Sequence, residues 1–364
     1  MWSSIYNCAF SGSRLASCGI SSAAVLLVTA ACQESLVEPE RSDQVSPPAL
    51  AVVSNSWLTR ANIPNDARRN IVAASVINAQ TQTVLYVFGG RRVRSDGTLG
   101  VQLRTVQAYN AATNTWSDKN PSPAPIESSH GAHAIDSKIY IAGGLIGFNE
   151  ALRSLWQYDP ATDTWTKKRD LPLEGADGVS GVVGGKLYVL TRCQGCENPD
   201  YRPPNDIRFF GSYDPATDQW TPLALPPGGR NHEHGAAGVI GGKLYVAGGR
   251  ETNALDIYDP ATNHWTTGAP MGSIRGFTAS ATVAGKLYVI AGARFVFSSD
   301  GTLTGVDNVA TTSRYNPATN TWKNLAPAPR GGPGLAADRV VVSGQPRVDL
   351  VGGPRPGNNL QYVP

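Results

Sequence analysis

The chain predicts an all-β fold of repeated four-stranded sheets. Three observations carry that expectation: one eight-residue phrase that returns five times, a glycine-ended strand motif upstream of each copy, and a composition rich in turn formers. With 39 glycines and 26 prolines in 364 residues, short strands joined by tight turns are favoured over long helices. A hydrophobic content of 41% against 16% charged residues supports a sizeable core and excludes a disordered chain. The net charge of +3 implies no nucleic-acid partner.

The phrase reads YNAATNTW (109–116), YDPATDTW (158–165), YDPATDQW (213–220), YDPATNHW (258–265) and YNPATNTW (315–322). Four copies place Pro where a type I turn fixes φ. All five place Asn or Asp (Asn114, Asp163, Asp218, Asn263, Asn320) where left-handed backbone is tolerated. Each phrase is therefore expected to be a hairpin tip. The upstream motif reads VLYVFGG (84–90), KIYIAGG (138–144), KLYVLTR (186–192), KLYVAGG (243–249) and KLYVIAG (286–292). Its alternating side chains mark a strand, and its closing glycines permit positive φ or close backbone approach. Stretches of small residues precede it, such as IVAASVI (71–77), HGAAGVI (234–240) and FTASATV (277–283), and these suit an innermost strand crowded near an axis.

The double glycine, the Tyr and the later Trp in fixed order resemble the kelch repeat over residues 57–364. The repeat tryptophans Trp116, Trp165, Trp220, Trp265 and Trp322 recur 45 to 57 residues apart, near the kelch period of about 50. The resemblance implies four-stranded blades of a β-propeller. Two places depart from the pattern: Thr191-Arg192 in blade three and Ala291-Gly292 in blade five. After Trp322 three strands remain, ending at Tyr362 where a Trp-bearing strand is due, and Trp57 supplies it. The expectation is a six-bladed kelch-type β-propeller closed by an N-terminal strand pairing with the C-terminal blade, leaving no long edge. The repeat tryptophans and tyrosines, and Trp156, are read as blade packing, since one buried Trp contributes about 4–6 kcal/mol before entropy is subtracted.

The first 31 residues read as an export signal: Arg14, the apolar stretch AAVLLVTAA, then Cys32. VTAAC resembles the lipobox of bacterial lipoproteins, with Thr29 where Leu is usual, which implies lipid attachment at Cys32; simple secretion is the alternative. Residues 32–56 are expected to be a flexible tether, and an envelope or extracellular location follows. In that oxidising setting Cys193 and Cys196 of CQGC are expected to form a loop-stapling disulfide, and no second pair exists for a zinc ribbon.

Loops between second and third strands share one face of a propeller with the inter-blade loops. Blades one, three and five carry the long ones, two of which repeat SDGTL (95–99 and 299–303) as expected β-fingers. Arg91, Arg192, Arg250 and Arg294 follow or end second strands, and Arg69, Arg230, Arg275 and Arg330 precede innermost ones. With His232 they form a candidate anion-binding funnel, because guanidinium forks pair with carboxylate or phosphate at two points. The bland counterpart is arginines bound to loop carbonyls and neighbouring carboxylates. HGA recurs at 130–132 and 234–236, which places His130 and His234 alike on blades two and four. His232 and His234, two apart, are expected to share a strand face with Glu233 pointing away. Two ligands make a weak metal site, so no metal or cofactor is expected.

Three functions compete for this pattern. A binding module for a protein or acidic carbohydrate needs only a rigid ring, rim loops and a tether, and is preferred. A sugar mutarotase or epimerase is the alternative: the chain is similar to the N-acetylneuraminate epimerases in blade number and export, and Glu127, Glu233 and His234 are its candidate acid–base residues. A kelch-based copper radical oxidase is excluded, since that family has seven blades and a Tyr–Cys crosslink for which no suitable cysteine exists here.

Overall fold

The computed structural model describes residues 53–64, 67–147, 150–192, 208–230, 232–299, 303–353 and 359–364. The expected signal segment, Cys32, Cys193 and Cys196 lie outside the described residues. Ala51–Pro364 forms one compact unit, and within it Asn55 and Ser56, read as tether from sequence, belong to the folded part.

Six four-stranded antiparallel sheets recur among the described residues. From first strand to last, sheet 1 is Val72–Ile77, Thr83–Phe88, Val106–Asn110 and Thr115–Lys119. Sheet 2 is Ala132–Ile135, Lys138–Ala142, Leu155–Asp159 and Thr164–Lys168; sheet 3 is Val179–Val183, Lys186–Arg192, Arg208–Asp214 and Gln219–Pro222. Sheet 4 is Ala236–Ile240, Lys243–Ala247, Leu255–Asp259 and His264–Gly268; sheet 5 is Ala279–Val283, Lys286–Ile290, Thr312–Asn316 and Thr321–Leu325. Sheet 6 takes Leu335–Val342, Gln345–Gly352 and Asn359–Val363 from the end of the chain and Ser56–Thr59 from its beginning, with Trp57 opposite Tyr362. First strands touch in series, sheet 1 to sheet 2 and onward to sheet 6, whose first strand touches that of sheet 1.

The apolar cores lie between sheets. Tyr86 and Phe88 of sheet 1 pack on Ile139, Ile141 and Tyr158 of sheet 2. Leu85, Val87 and Tyr109 of sheet 1 face Ala336, Val340 and Val351 of sheet 6 on the other side. A second strand is thus covered on both faces, which is why Thr83–Phe88 is buried throughout instead of showing the alternation expected of it.

The repeated phrase has a second task besides turning the chain. In each tip the Asn or Asp adopts φ between 52° and 58°, and the Tyr hydroxyl donates to its Oδ1 at 2.6–2.9 Å. That same side chain accepts a backbone N–H of the preceding sheet's exit residue (Ala61, Asn120, Arg169, Ala224, Ala269 or Ala326) at 2.7–3.1 Å. The carbonyl of that exit residue accepts the Trp indole N–H at 2.6–3.3 Å. Tyr and Trp rings pack 5.0–5.3 Å apart above the clasp. The sixth clasp is assembled from both chain ends, with Asn55 and Trp57 serving Tyr362 and Ala326.

The glycine pair after the second strand is required sterically. A Cβ on Gly89, at φ 55°, would lie 2.0 Å from the Ile126 carbonyl oxygen. In sheet 3 the strand simply continues through Thr191 and Arg192, paired with Phe209 and Arg208, so no such bend is made. In sheet 5 Ala291 makes it at φ 56°.

Candidate functional site

Six residues entering the first strands hold positive φ: Asn70, Ser128, Asp177, His234, Phe277 and Gly334, at 53–76°. The backbones of five of them, all but Phe277, join in a belt that Thr278 extends. Asn70 N–H donates to Gly334 O at 3.0 Å, Ser128 to Asn70 at 3.3 Å, Asp177 to Ser128 at 2.7 Å and His234 to Asp177 at 2.7 Å, while Thr278 donates to His234 O at 3.4 Å. All six line a cavity of about 550 Å³ walled mainly by small residues of the first strands.

One arc of the belt is chemically distinct. His234 Nδ1 lies 3.3 Å from Asp177 Oδ1, its Nε2 lies 3.5 Å from Glu233 Oε1, and the three side chains are only 6–11% exposed. The imidazole stacks on Phe277 with centroids 3.6 Å apart and planes 28° apart. Phe295 flanks the pair, 5.6 Å from Phe277 and 6.5 Å from His234, and the Arg250 guanidinium lies 5.2 Å above Phe295. A neutral imidazole carries one N–H and so satisfies one of its two carboxylates at a time.

The structure corrects the expected histidine arrangement. Positive φ at His234 breaks strand alternation, so His232 and His234 diverge instead of sharing a face. His232 turns inward, with Nδ1 2.7 Å from Gly248 O and Nε2 2.9 Å from Asp256 Oδ2, while Glu233 joins His234. His130 is not the counterpart of His234 either, because Ser128 takes the belt position in sheet 2. His130 is 4% exposed and accepts Gly178 N–H at Nδ1 over 3.0 Å. Burial pushes its pKa down to about 4, and His133, bonded to Ser180 Oγ at 2.7 Å, is depressed likewise.

None of the nine funnel candidates is among the described residues lining the cavity. Arg275 is 1% exposed and donates to Thr311 O, Ala291 O, Val289 O and Ser313 Oγ, so it ties second and third strands together; its burial lowers its pKa to about 10. Arg91 is locked on Glu127 at 2.8 Å, and Asn70 and Gln102 donate to the same carboxylate, which makes Glu127 a buried structural knot. Arg230 pairs at 2.6 Å with Asp256. Burial opposes ionisation of that aspartate, but His232 and Arg230 outweigh it and hold its pKa below the ordinary value. Arg294 is exposed on the hairpin Ala293–Phe297/Leu303–Asn308 and pairs with Asp307 at 2.6 Å. Arg330 is exposed and Arg192 is described in backbone only. Arg69 and Arg250 remain beside the belt, half buried, each with an Nε that has no hydrogen-bond partner.

Asp177, Phe277 and Phe295 escaped the sequence reading. The signal for Asp177 was present, since Asp177-Gly178 stands before its first strand as His234-Gly235 does before the next. The first SDGTL loop is the expected finger, Arg91–Val93 paired with Leu99–Gln102 around a turn at Asp96 and Gly97.

The family described as the Attractin/LZTR1 β-propeller matches residues 85–337. The Kelch-like protein terF of Aspergillus terreus is 31% identical over 277 residues, which cover 72% of this chain and 57% of that protein. Kelch-like protein 25 of Xenopus tropicalis is 25% identical over 52% of this chain and 31% of its own length. The chain thus spans only part of the curated relatives it matches. A solved structure of YjhT aligns with TM-score 0.64 at 18% identity, over 83% of this chain and 94% of that one, a likeness of fold.

Proposed function

The chain belongs to the kelch-repeat β-propeller family, and on that premise we propose that it is an exported, lipid-anchored binding module. Its six sheets close into a six-bladed ring, and its belt-bearing face grips a protein or an anionic glycan. Cyclic contact of the first strands and the sixth clasp from both chain ends support closure. The anchor would be Cys32, and the disulfide Cys193–Cys196 would stiffen a rim loop.

One observation carries the anionic reading: Arg69 and Arg250 sit beside the belt, half buried, each with an unpartnered Nε, and burial lowers the Arg69 pKa from its ordinary value. A guanidinium in that state gains from a carboxylate, sulfate or phosphate arriving from outside. Arg294 and Arg330 would add exposed charge at the rim. The test is a thermal-shift screen of acidic and neutral sugars and acidic peptides at two salt concentrations. Acidic ligands should raise the melting temperature more at low salt, and Arg69→Ala with Arg250→Ala should abolish the rise; an unchanged rise in the double variant refutes the site.

The clamped His234 favours one further reading, a sugar mutarotase or epimerase with His234 and Glu233 as acid and base. Accelerated anomer interconversion of sialic acid, lost in Glu233→Gln, would establish it in place of simple binding.

A further inference from the structure

We propose that Glu233 and His234 form a site for a divalent cation of the zinc class beside the cavity, with Asp177 as the carboxylate that orients the imidazole. The inference stands apart from the binding reading and needs neither the arginines nor an anionic partner.

The geometry supplies three parts of such a site. First, His234 Nε2 and Glu233 Oε1 are 3.5 Å apart, and two ligands bonded at about 2.0–2.2 Å to one tetrahedral ion stand about 3.3–3.6 Å apart. The pair therefore already spans one edge of the coordination polyhedron. Second, Asp177 Oδ1 lies 3.3 Å from the opposite ring nitrogen. A metal-bound histidine ordinarily gives its second N–H to a carboxylate, which fixes the tautomer and makes the other nitrogen the ligand. Third, the ring is held by its stack on Phe277 at 3.6 Å, so coordination costs little side-chain entropy.

Ligand atoms of all three residues lie within 4.8 Å of one another, and the side chains are about nine-tenths buried. Two carboxylates around one imidazole match a double positive charge. Glu233 makes a further contact as well. Imidazole with carboxylate suits zinc or cobalt better than calcium or magnesium, which prefer all-oxygen cages. Asp177 and His234 line the cavity; Glu233 and His234 would supply two ligands, and water or a ligand oxygen would complete the coordination shell.

The test uses the full chain without a histidine tag. Co²⁺ titration followed by visible absorption, with Zn²⁺ displacement in a calorimeter, should show one ion per chain and the intense bands of four- or five-coordinate cobalt. Glu233→Gln and His234→Asn should each lose at least about 100-fold in affinity, and Asp177→Asn about 10–100-fold. Asn is chosen for position 234 because it tolerates positive φ, and unchanged melting of each variant in EDTA shows that the fold survives. His264→Asn, at an exposed histidine on another strand, should bind as the parent does. No uptake by the parent chain, six-coordinate cobalt spectra, or unaltered affinity in Glu233→Gln and His234→Asn would overturn the proposal.

Discussion

Replacing Asp349 by Asn should stabilise the protein at neutral pH, although the aspartate sits wholly inside sheet 6. Its side chain is 0% exposed; Oδ1 accepts Gln361 Nε2–H at 2.8 Å, and Oδ2 has no hydrogen-bond partner. Burial pushes its pKa up from 3.8 to about 7, against smaller lowering by Gln361 and Arg60, and with Asp338 opposite in register adding repulsion. The folded protein therefore keeps a proton that the unfolded chain gives up. Below about pH 4 both states hold it and nothing is lost; between about pH 4 and 7 stability falls as pH rises, and above that the loss is constant at about 4 kcal/mol. The amide introduced by Asp349→Asn would be neutral throughout and keep the Gln361 contact. Denaturant titrations and melts should show the variant equal to the parent near pH 4 and more stable at pH 8 by up to about 4 kcal/mol, or roughly 6–8 °C in melting temperature. His130 and His133 act with opposite pH dependence but are common to both proteins and cancel in the difference. A variant no more stable than the parent at pH 8 would refute the reasoning.

Other outcomes follow from the same contacts. Asn55→Ala removes the acceptor of both Tyr362 OH and Ala326 N–H and should cost about 2–4 kcal/mol in denaturant unfolding; Asn55→Asp, the residue used in two of the other tips, should restore most of it. Gly89→Ala forces a Cβ to 2.0 Å from Ile126 O and should reduce soluble yield and melting temperature more than Gly97→Ala, which meets nothing within 4 Å although both carry positive φ. His133 is held neutral in the folded protein with its pKa depressed to about 4 by burial, so its contribution is intact above about pH 6.5 and drains away as pH falls towards 4; His133→Gln should flatten that acid limb of the stability profile.

The repeat tips and the burial of the tyrosines were legible because they are local patterns copied many times, and the pairing of the Trp57 strand with the Tyr362 strand because one copy lacked its Trp. Tyr, the turn Asn or Asp and Trp keep fixed spacing, and the missing sixth Trp pointed to Trp57. Asn55 was overlooked, since its Tyr362 stands 307 residues away and no phrase links them. The partners of the arginines were not legible for a related reason. Arg91, Arg230 and Arg275 are spaced as rim residues, yet Arg91 binds Glu127, Arg230 binds Asp256 of a third strand and Arg275 binds second- and third-strand acceptors, and sequence spacing does not reveal which way a long side chain turns. His234 and Asp177 meet only because two turns adopt positive φ, which reverses the alternation a strand would impose.

Native-state amide hydrogen exchange tests ring closure most directly. Asn55 N–H is bonded to Val363 O at 2.8 Å and Arg60 N–H to Asn359 O at 3.0 Å, so both amides belong to the join between the chain ends. If that join is integral to the ring, they should exchange only through global opening, with the same free energy as the amide of Val246 in the buried core of sheet 4. Exchange of Asn55 and Arg60 at rates close to those of an unfolded peptide, with Val246 still protected, would mean an open array of sheets and would contradict the account.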